Sequence, residues 1–129
     1  QLKTVNEIMS TGKQIPFVNE NQTMRFALKV ITEKKLGVLI AKNKKNLTTG
    51  ILTDGNIRKI RNNNNFENTI IKKVMKKKPI TIDRNTLAVK ALQIMNEKKI
   101  TSLCVHKDNK PNKTIGLLHI HHILSSNLG

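Results

Sequence analysis

The sequence contains no tryptophan or tyrosine, and it has one cysteine among its 129 residues. A single cysteine, Cys104, cannot form an internal disulfide, so the chain does not fit the class of small secreted proteins that disulfides hold together. It also lacks a signal-peptide pattern and any apolar run near the ~20 residues that cross a bilayer. These absences predict a soluble, cytoplasmic protein whose core forms without covalent crosslinks.

Acidic residues are scarce too: 8 Asp and Glu stand against 24 Lys and Arg, for a formal net charge of +16. Such a charge is compatible with binding to nucleic acid. However, only Phe17, Phe26 and Phe66 could stack on bases, and the lysines fall in pairs at predicted helix ends and turns. A solvated basic surface explains the charge, and a nucleic-acid-binding domain is the weaker alternative.

An internal repeat covers nearly the whole chain. A shift of 64 residues superposes the apolar face of a helix predicted over residues 22–35 on that of a second helix predicted over residues 86–99. A two-residue insertion then changes the shift to 66, which aligns Gly50 with Gly116. The superposed helical faces are Met24, Ala27, Leu28 and Ile31 on Ala88, Ala91, Leu92 and Met95.

Each repeat has the pattern strand, helix, strand, strand, helix, which predicts an α+β fold with two β-α-β-β-α repeats. We assign residues 1–62 to the first repeat, 63–69 to a linker and 70–129 to the second repeat. A repeat of about sixty residues cannot cover both faces of its own sheet. We therefore expect the repeats to pack with pseudo-twofold symmetry, and ligand sites favour the clefts that such packing creates.

Residues 50–57, GILTDGNI, pass from an apolar strand into a helix, and residues 116–123 have the same outline. Backbone N–H groups at a helix start lack partners within the helix and can hold an anion or a sugar hydroxyl. Thr53 with Asp54 can equally serve as a capping pair with a purely structural role. Both interpretations stay open at this point.

Several segments in order resemble a known family: GKQIP at residues 12–16, EKKLGV at 33–38, TDGNIRK at 53–59, KITSL at 99–103 and GLLHIH at 116–121. They resemble a tandem pair of cystathionine-β-synthase (CBS) domains, or Bateman module. More narrowly, they are similar to the C-terminal CBS region of arabinose-5-phosphate isomerases, the sugar-isomerase (SIS) enzymes of Kdo and lipopolysaccharide biosynthesis. The resemblance implies a catalytic SIS domain upstream of Gln1. It also implies a regulatory or homodimerising role for this chain, with no catalytic residues in it.

CBS pairs hold adenine nucleotides, with a Ser or Thr at a strand end and an Asp three residues later on the ribose. The resemblance places Thr53 and Asn56 at these positions in the first repeat, and His119 and His122 in the second. Both repeats lack the carboxylate that would accept two ribose hydroxyls. The implied ligand-binding set is Ile15, Phe17, Thr53, Asp54, Asn56, Ile80, His119, His121 and His122.

The implied effector is an adenine nucleotide or a sugar nucleotide such as CMP-linked Kdo, and no cofactor is required. The alternative is a structural dimerisation module whose clefts stay empty. The three histidines also invite a zinc-site hypothesis, but no Cys, Asp or Glu within their segment completes such a site, so we predict no metal. We expect Cys104, in an apolar strand two residues before His106, to be a buried packing residue.

Overall fold

The computed structural model describes residues 2–126, and its contacts divide the chain into two compact units. Residues Pro16–Pro79 form the first unit, and the segments up to Ile15 and from Ile80 onward form the second unit. Both units contain a β-sheet and helices, so the predicted α+β class is confirmed. The division at residues 62 and 70 describes the sequence repeat and stays a prediction, because the compact units are grouped differently along the chain.

The first unit has a four-stranded sheet in the order β1-β2-β3-β4. Strands β1 and β2 are parallel, and the other neighbouring pairs are antiparallel. A 3-10 turn at Phe66–Asn68 interrupts the predicted linker. The elements are β1 Phe17–Asn19, α2 Met24–Lys34, β2 Val38–Lys42, β3 Thr48–Thr53, α3 Asp54–Ile60, α4 Ile71–Val74 and β4 Lys76–Lys77.

The second unit has a three-stranded sheet in the order β5-β6-β7, again with a parallel pair followed by an antiparallel pair. Its first helix belongs to the start of the chain. The elements are α1 Val5–Ile8, a 3-10 turn at Gly12–Gln14, β5 Thr81–Asp83, α5 Ala88–Lys98, β6 Ser102–His106, β7 Gly116–His119 and α6 Ile120–Leu124. The predicted order of strand, helix, strand, strand, helix is therefore present in both repeats.

The apolar faces predicted for the two long helices lie in the cores. Met24, Ala27 and Ile31 of α2 are buried in the first unit, and Met95 of α5 occupies the matching place in the second. The Thr23 hydroxyl accepts a hydrogen bond from the Phe26 N–H and caps α2, which begins at Met24, two residues later than the pattern predicted. Helical periodicity was sufficient to identify these faces because burial repeats every three to four residues.

The short helices α1 and α4 each pack in the unit of the other repeat. In the second unit, the Val5 N–H donates to the Thr86 carbonyl at 2.8 Å; in the first, the Ile71 N–H donates to the Gln22 carbonyl at the same distance. Val5 and Ile71, which are 66 residues apart, occupy equivalent positions at the start of the two leading helices. Both are fully buried. Each repeat thus contributes its leading helix to the core formed by its counterpart.

Two details differ from the sequence prediction. Helix α3 begins at Asp54 and not after Asn56, because Thr53 caps it. Lys76–Lys77 forms a short edge strand, β4, beside β3, where the sequence indicated only a basic surface; exposed lysines on a sheet edge discourage pairing with other chains. Over residues 2–126, we find no helix with the length and apolar character needed to span a bilayer.

Candidate functional site

The junction between β3 and α3 is built around Thr53 and Asn56. The Thr53 hydroxyl accepts a hydrogen bond from the Asn56 N–H at 3.2 Å, and the Asn56 side-chain oxygen accepts one from the Thr53 N–H at 3.2 Å. This reciprocal arrangement is a capping box. The capping role predicted for Thr53 is therefore confirmed, but its partner is Asn56 and not Asp54, because the side chain that reaches back belongs to the third helical residue.

Asp54, which follows Thr53, is exposed, and its carboxylate lies over the backbone of Gly37. A Cβ atom added to Gly37 would lie 2.7 Å from Asp54 Oδ2, and Gly37 has a φ of +68° that favours glycine. Strand pairing puts Val38 opposite Thr53, so the start of β2 and the end of β3 meet at this place. Asp54 thus supplies an accessible carboxylate there without being part of the cap.

Phe17 begins β1, where it pairs with Ile40 in the middle of β2. One face of its ring carries the Lys42 ammonium, whose Nζ is 3.7 Å from the ring centroid. The first unit therefore brings together Thr53, Asp54 and Asn56 at one sheet end, whereas Phe17 lies two strands away, level with Ile40 and Ile51. Ile15, which is buried, belongs to the second unit.

The junction between β7 and α6 has the same construction with histidines in the capping positions. His119 Nδ1 accepts a hydrogen bond from the His121 N–H at 3.1 Å, and His122 Nδ1 accepts one from the His119 N–H at 3.0 Å. A backbone N–H only donates, so both accepting nitrogens are unprotonated and each neutral ring carries its proton on Nε2. His122 Nε2 is then the donor to the Ser10 hydroxyl, 3.3 Å away.

The pKa values of two of these histidines are lowered. Burial lowers the pKa of His119, and the charges that His121 and His122 would carry when protonated lower it further. Burial also lowers the pKa of His122, with a further contribution from His121. The ring centroids of His119 and His121 are 4.7 Å apart, so two protonated rings would repel at short range. The neutral rings therefore serve as caps at neutral pH.

Acidification is expected to destabilise the protein because it protonates His119 and His122, which cap α6 in their neutral form. Because the folded-state pKa values lie below the unfolded value, the unfolded chain binds more protons, and stability falls as the pH drops below about 6.5. The double variant His119→Thr/His122→Asn copies the cap of the first repeat and cannot titrate. We expect its melting temperature to fall less between pH 7.5 and pH 5.5 than that of the wild type; an equal fall in both would contradict the assignment.

Ile80 lies beside this junction and is partly exposed. Its carbonyl accepts a hydrogen bond from the Cys104 N–H at 3.2 Å, and β6 pairs Ser102 with His119. The second unit therefore gathers Ile80, His119, His121 and His122 at one end of its sheet. His121 is exposed, whereas His119 is buried.

Sequence reasoning missed Ser102. Within the described part of the chain, its hydroxyl oxygen is the one buried side-chain polar atom without a hydrogen-bond partner. Buried hydroxyls normally have a partner, so a group that donates to or accepts from Ser102 would be favoured there. The repeat aligns Ser102 with Val38 by the shift of 64, and this change from valine to serine was the available signal in the sequence.

The chemistry of Cys104 matches the sequence prediction. The side chain is fully buried, and burial raises the pKa of its thiol to about 11 although a hydrogen bond with Thr114 opposes the shift. A thiol with so high a pKa is a poor nucleophile at neutral pH. His106, two residues further along the strand, is hydrogen-bonded through Nδ1 to the Thr81 hydroxyl at 2.8 Å.

The histidine cluster does not form a metal site in the described range. From residue 2 to residue 126, no group of three or more His, Cys, Asp or Glu side chains could hold a metal ion. Two of the six ring nitrogens in the cluster are already occupied as capping acceptors. The arrangement is instead a polar sheet end with donors on Nε2 atoms.

Solved structures share this fold. The protein CBSX2, in a crystal structure in complex with AMP, superposes with a TM-score of 0.82 at 20% identity, covering 94% of this chain and 92% of that chain. A conserved CBS domain protein of Thermoplasma acidophilum, TA0289, gives a TM-score of 0.85 at 22% identity, covering 98% of this chain and 70% of that one. At these identities the similarity establishes the fold alone.

Sequence relatives are closer. Arabinose 5-phosphate isomerase KdsD of Salmonella typhimurium is 36% identical over 124 residues, which are 95% of this chain and 37% of that enzyme. The chain therefore spans little more than a third of the length of this relative. The family model for the CBS domain matches twice, at residues 5–63 and 71–129. The chain belongs to the CBS-domain family as a tandem pair, homologous to the CBS region of KdsD.

Proposed function

We propose that the chain is the non-catalytic regulatory part of an arabinose-5-phosphate isomerase, and that it binds a nucleotide or nucleotide-sugar effector at its strand-to-helix junctions. The isomerase part of the proposal rests on the 36% identity to KdsD. In that setting a SIS domain precedes the chain and carries the catalytic residues. The protein acts in the cytoplasm, in lipopolysaccharide biosynthesis, as a homodimer formed through its CBS repeats.

The observation that carries the ligand-binding proposal is the accessible polar sheet end in each unit. Asp54 contributes a carboxylate that is not used for capping, and the second unit offers the Nε2 donor of His119 beside the unpartnered Ser102 hydroxyl. Carboxylates accept from sugar hydroxyls, and N–H groups donate to phosphate or base acceptors. AMP is bound by the CBS pair CBSX2; here an adenine nucleotide or CMP-Kdo is the proposed effector.

Thermal-shift measurements test this proposal with AMP, ATP, CMP and CMP-Kdo. A ligand that binds only the folded state stabilises it by about 2.7 kcal/mol at 100 times its dissociation constant. We expect a saturable rise in melting temperature with at least one nucleotide. The variant Asp54→Asn should retain the melting temperature of the wild type without ligand, because Asp54 lies outside the capping box, and should lose affinity if the first junction is the site.

A structural dimerisation module is the second candidate, because all four side chains at the family's ligand positions already make capping hydrogen bonds. Its prediction is a stable dimer in analytical ultracentrifugation together with no thermal shift from any of the four nucleotides. That pair of results would exclude the effector role. Binding that collapses as salt is raised would instead indicate nonspecific attraction to the basic surface.

A further inference from the structure

A depression of about 400 Å³ lies in the first unit, at the end of α3 opposite its junction with β3. Its floor includes Leu28 and Phe66, and its rim carries Arg25, Arg61 and Glu67, with the amides of Asn65 and Asn68 completing it. None of these residues belongs to the ligand-binding set predicted from the sequence. The volume falls within the range of small-molecule sites in proteins, roughly 300–1,000 Å³.

The lining of this depression is not repeated along the sequence. The shift of 64 residues replaces Arg25 by Val89, and Phe66–Asn68 lies in the linker predicted between the repeats. The chain has 24 basic residues, mostly lysines, yet two arginines meet here. Guanidinium groups bind phosphate through two parallel hydrogen bonds, which ammonium groups cannot do. The depression is therefore chemically distinct from the general basic surface.

Hydrogen-bond donors dominate its rim. Within residues 2–126, the Arg61 guanidinium makes no hydrogen bond or ion pair, so its five N–H donors face solvent. Asn68 Nδ2 donates to Asn65 Oδ1 at 3.0 Å, which leaves the Asn65 amide group as a donor. A phosphate offers acceptor oxygens only and complements such a rim.

Arg25 is the second cation, and its guanidinium forms an ion pair with Glu67. Arg25 Nε and Nη2 donate to the same oxygen, Glu67 Oε2, at 3.3 and 3.2 Å. Both side chains are more than half exposed, and an exposed ion pair contributes little to stability because water screens it. A phosphate can therefore compete for Arg25. Phe66 packs against the hydrophobic core, so the floor under the rim is held in place.

We propose that this depression binds the phosphate group of a small organic phosphate, with Arg61 and Arg25 as its cationic partners. The organic part of the ligand packs against Phe66 and Leu28, and the Glu67 carboxylate accepts a hydrogen bond from a ligand hydroxyl. The site is independent of the junctions discussed above.

NMR titration of the chain with inorganic phosphate, ribose 5-phosphate and ribose tests the site. We expect saturable amide shifts centred on Phe66–Asn68 and Arg25 with both phosphates and none with ribose. Arg61→Gln should weaken phosphate binding at least tenfold. Lys59→Gln, which removes the same charge from an exposed side chain outside the depression, should change it less than twofold. Glu67→Gln should strengthen the binding of inorganic phosphate several-fold, because it removes a competing anion.

Three results would overturn the proposal. Equal weakening by Arg61→Gln and Lys59→Gln would mean nonspecific attraction to a chain of net charge +16. Equal shifts with ribose would exclude phosphate as the recognised group. Shifts confined to residues 53–57 or 119–123 would place the phosphate at a junction, which would remove this site and still support the effector proposal. Conversely, if no nucleotide raised the melting temperature, the junction proposal would fail while the result expected in this titration would stay the same.

Discussion

Replacing Ile71 by alanine is expected to lower the free energy of unfolding by about 2–5 kcal/mol, because a fully buried isoleucine leaves a cavity in the core. The prediction also states which of the two units is destabilised first. Ile71 lies in the second repeat of the sequence and in the core of the first unit. Native-state hydrogen exchange should therefore show lost protection in β2 and β3, more than in β6 and β7.

Val5→Ala is the matched experiment, since Val5 corresponds to Ile71 by the shift of 66 residues and is buried in the core of the second unit. We expect the opposite pattern, with protection lost first in β6 and β7. Lys73→Ala, two residues from Ile71 and exposed, controls for the position in α4; Lys72 is unsuitable because its ammonium pairs with the buried Glu20. If Ile71→Ala loosened the second unit first, the exchange of leading helices between repeats would be refuted.

Replacing Gly50 by alanine should cost about 1–3 kcal/mol, which is typical of overpacking. The added Cβ would lie 2.7 Å from Met75 Cγ and 3.0 Å from the Lys76 carbonyl oxygen, and it would also contact Met75 Sδ. The carbonyl belongs to the backbone of β4, which is paired to β3, so it cannot move without disturbing that pairing. Urea denaturation of the variant and the wild type measures the loss.

Gly116→Ala provides the control because Gly116 is the equivalent glycine of the second repeat. The three atoms nearest to its added Cβ all belong to the Met9 side chain, with Met9 Cγ and Cε both at 3.0 Å and Sδ closer. A methionine side chain has three rotatable bonds and can move aside. We therefore expect a smaller loss than in Gly50→Ala. Equal losses would show that side-chain contacts, and not the Lys76 carbonyl, set the cost at Gly50.

The sequence predicted the local elements of the candidate site well. Periodicity located the helix that contains Met24 and Ala27, and the apolar run before Thr53 located the strand that ends there. It did not identify which side chain caps α3, because Asp54 and Asn56 are both capable partners and only the backbone geometry chooses between them. It also placed no significance on Ser102, whose unpartnered hydroxyl is visible only once its neighbours are known.

The sequence alone determined the repeat, the α+β class and the resemblance to CBS pairs, because hydrophobic periodicity and motif order are properties of neighbouring residues. Tertiary structure decided that α1 and α4 exchange units, that His119 and His122 act as neutral caps, and that Arg25 and Arg61 converge on one depression. These features depend on contacts between residues far apart in the chain, on burial that sets a pKa, and on side-chain direction. A local sequence pattern does not specify long-range contacts, burial or side-chain direction.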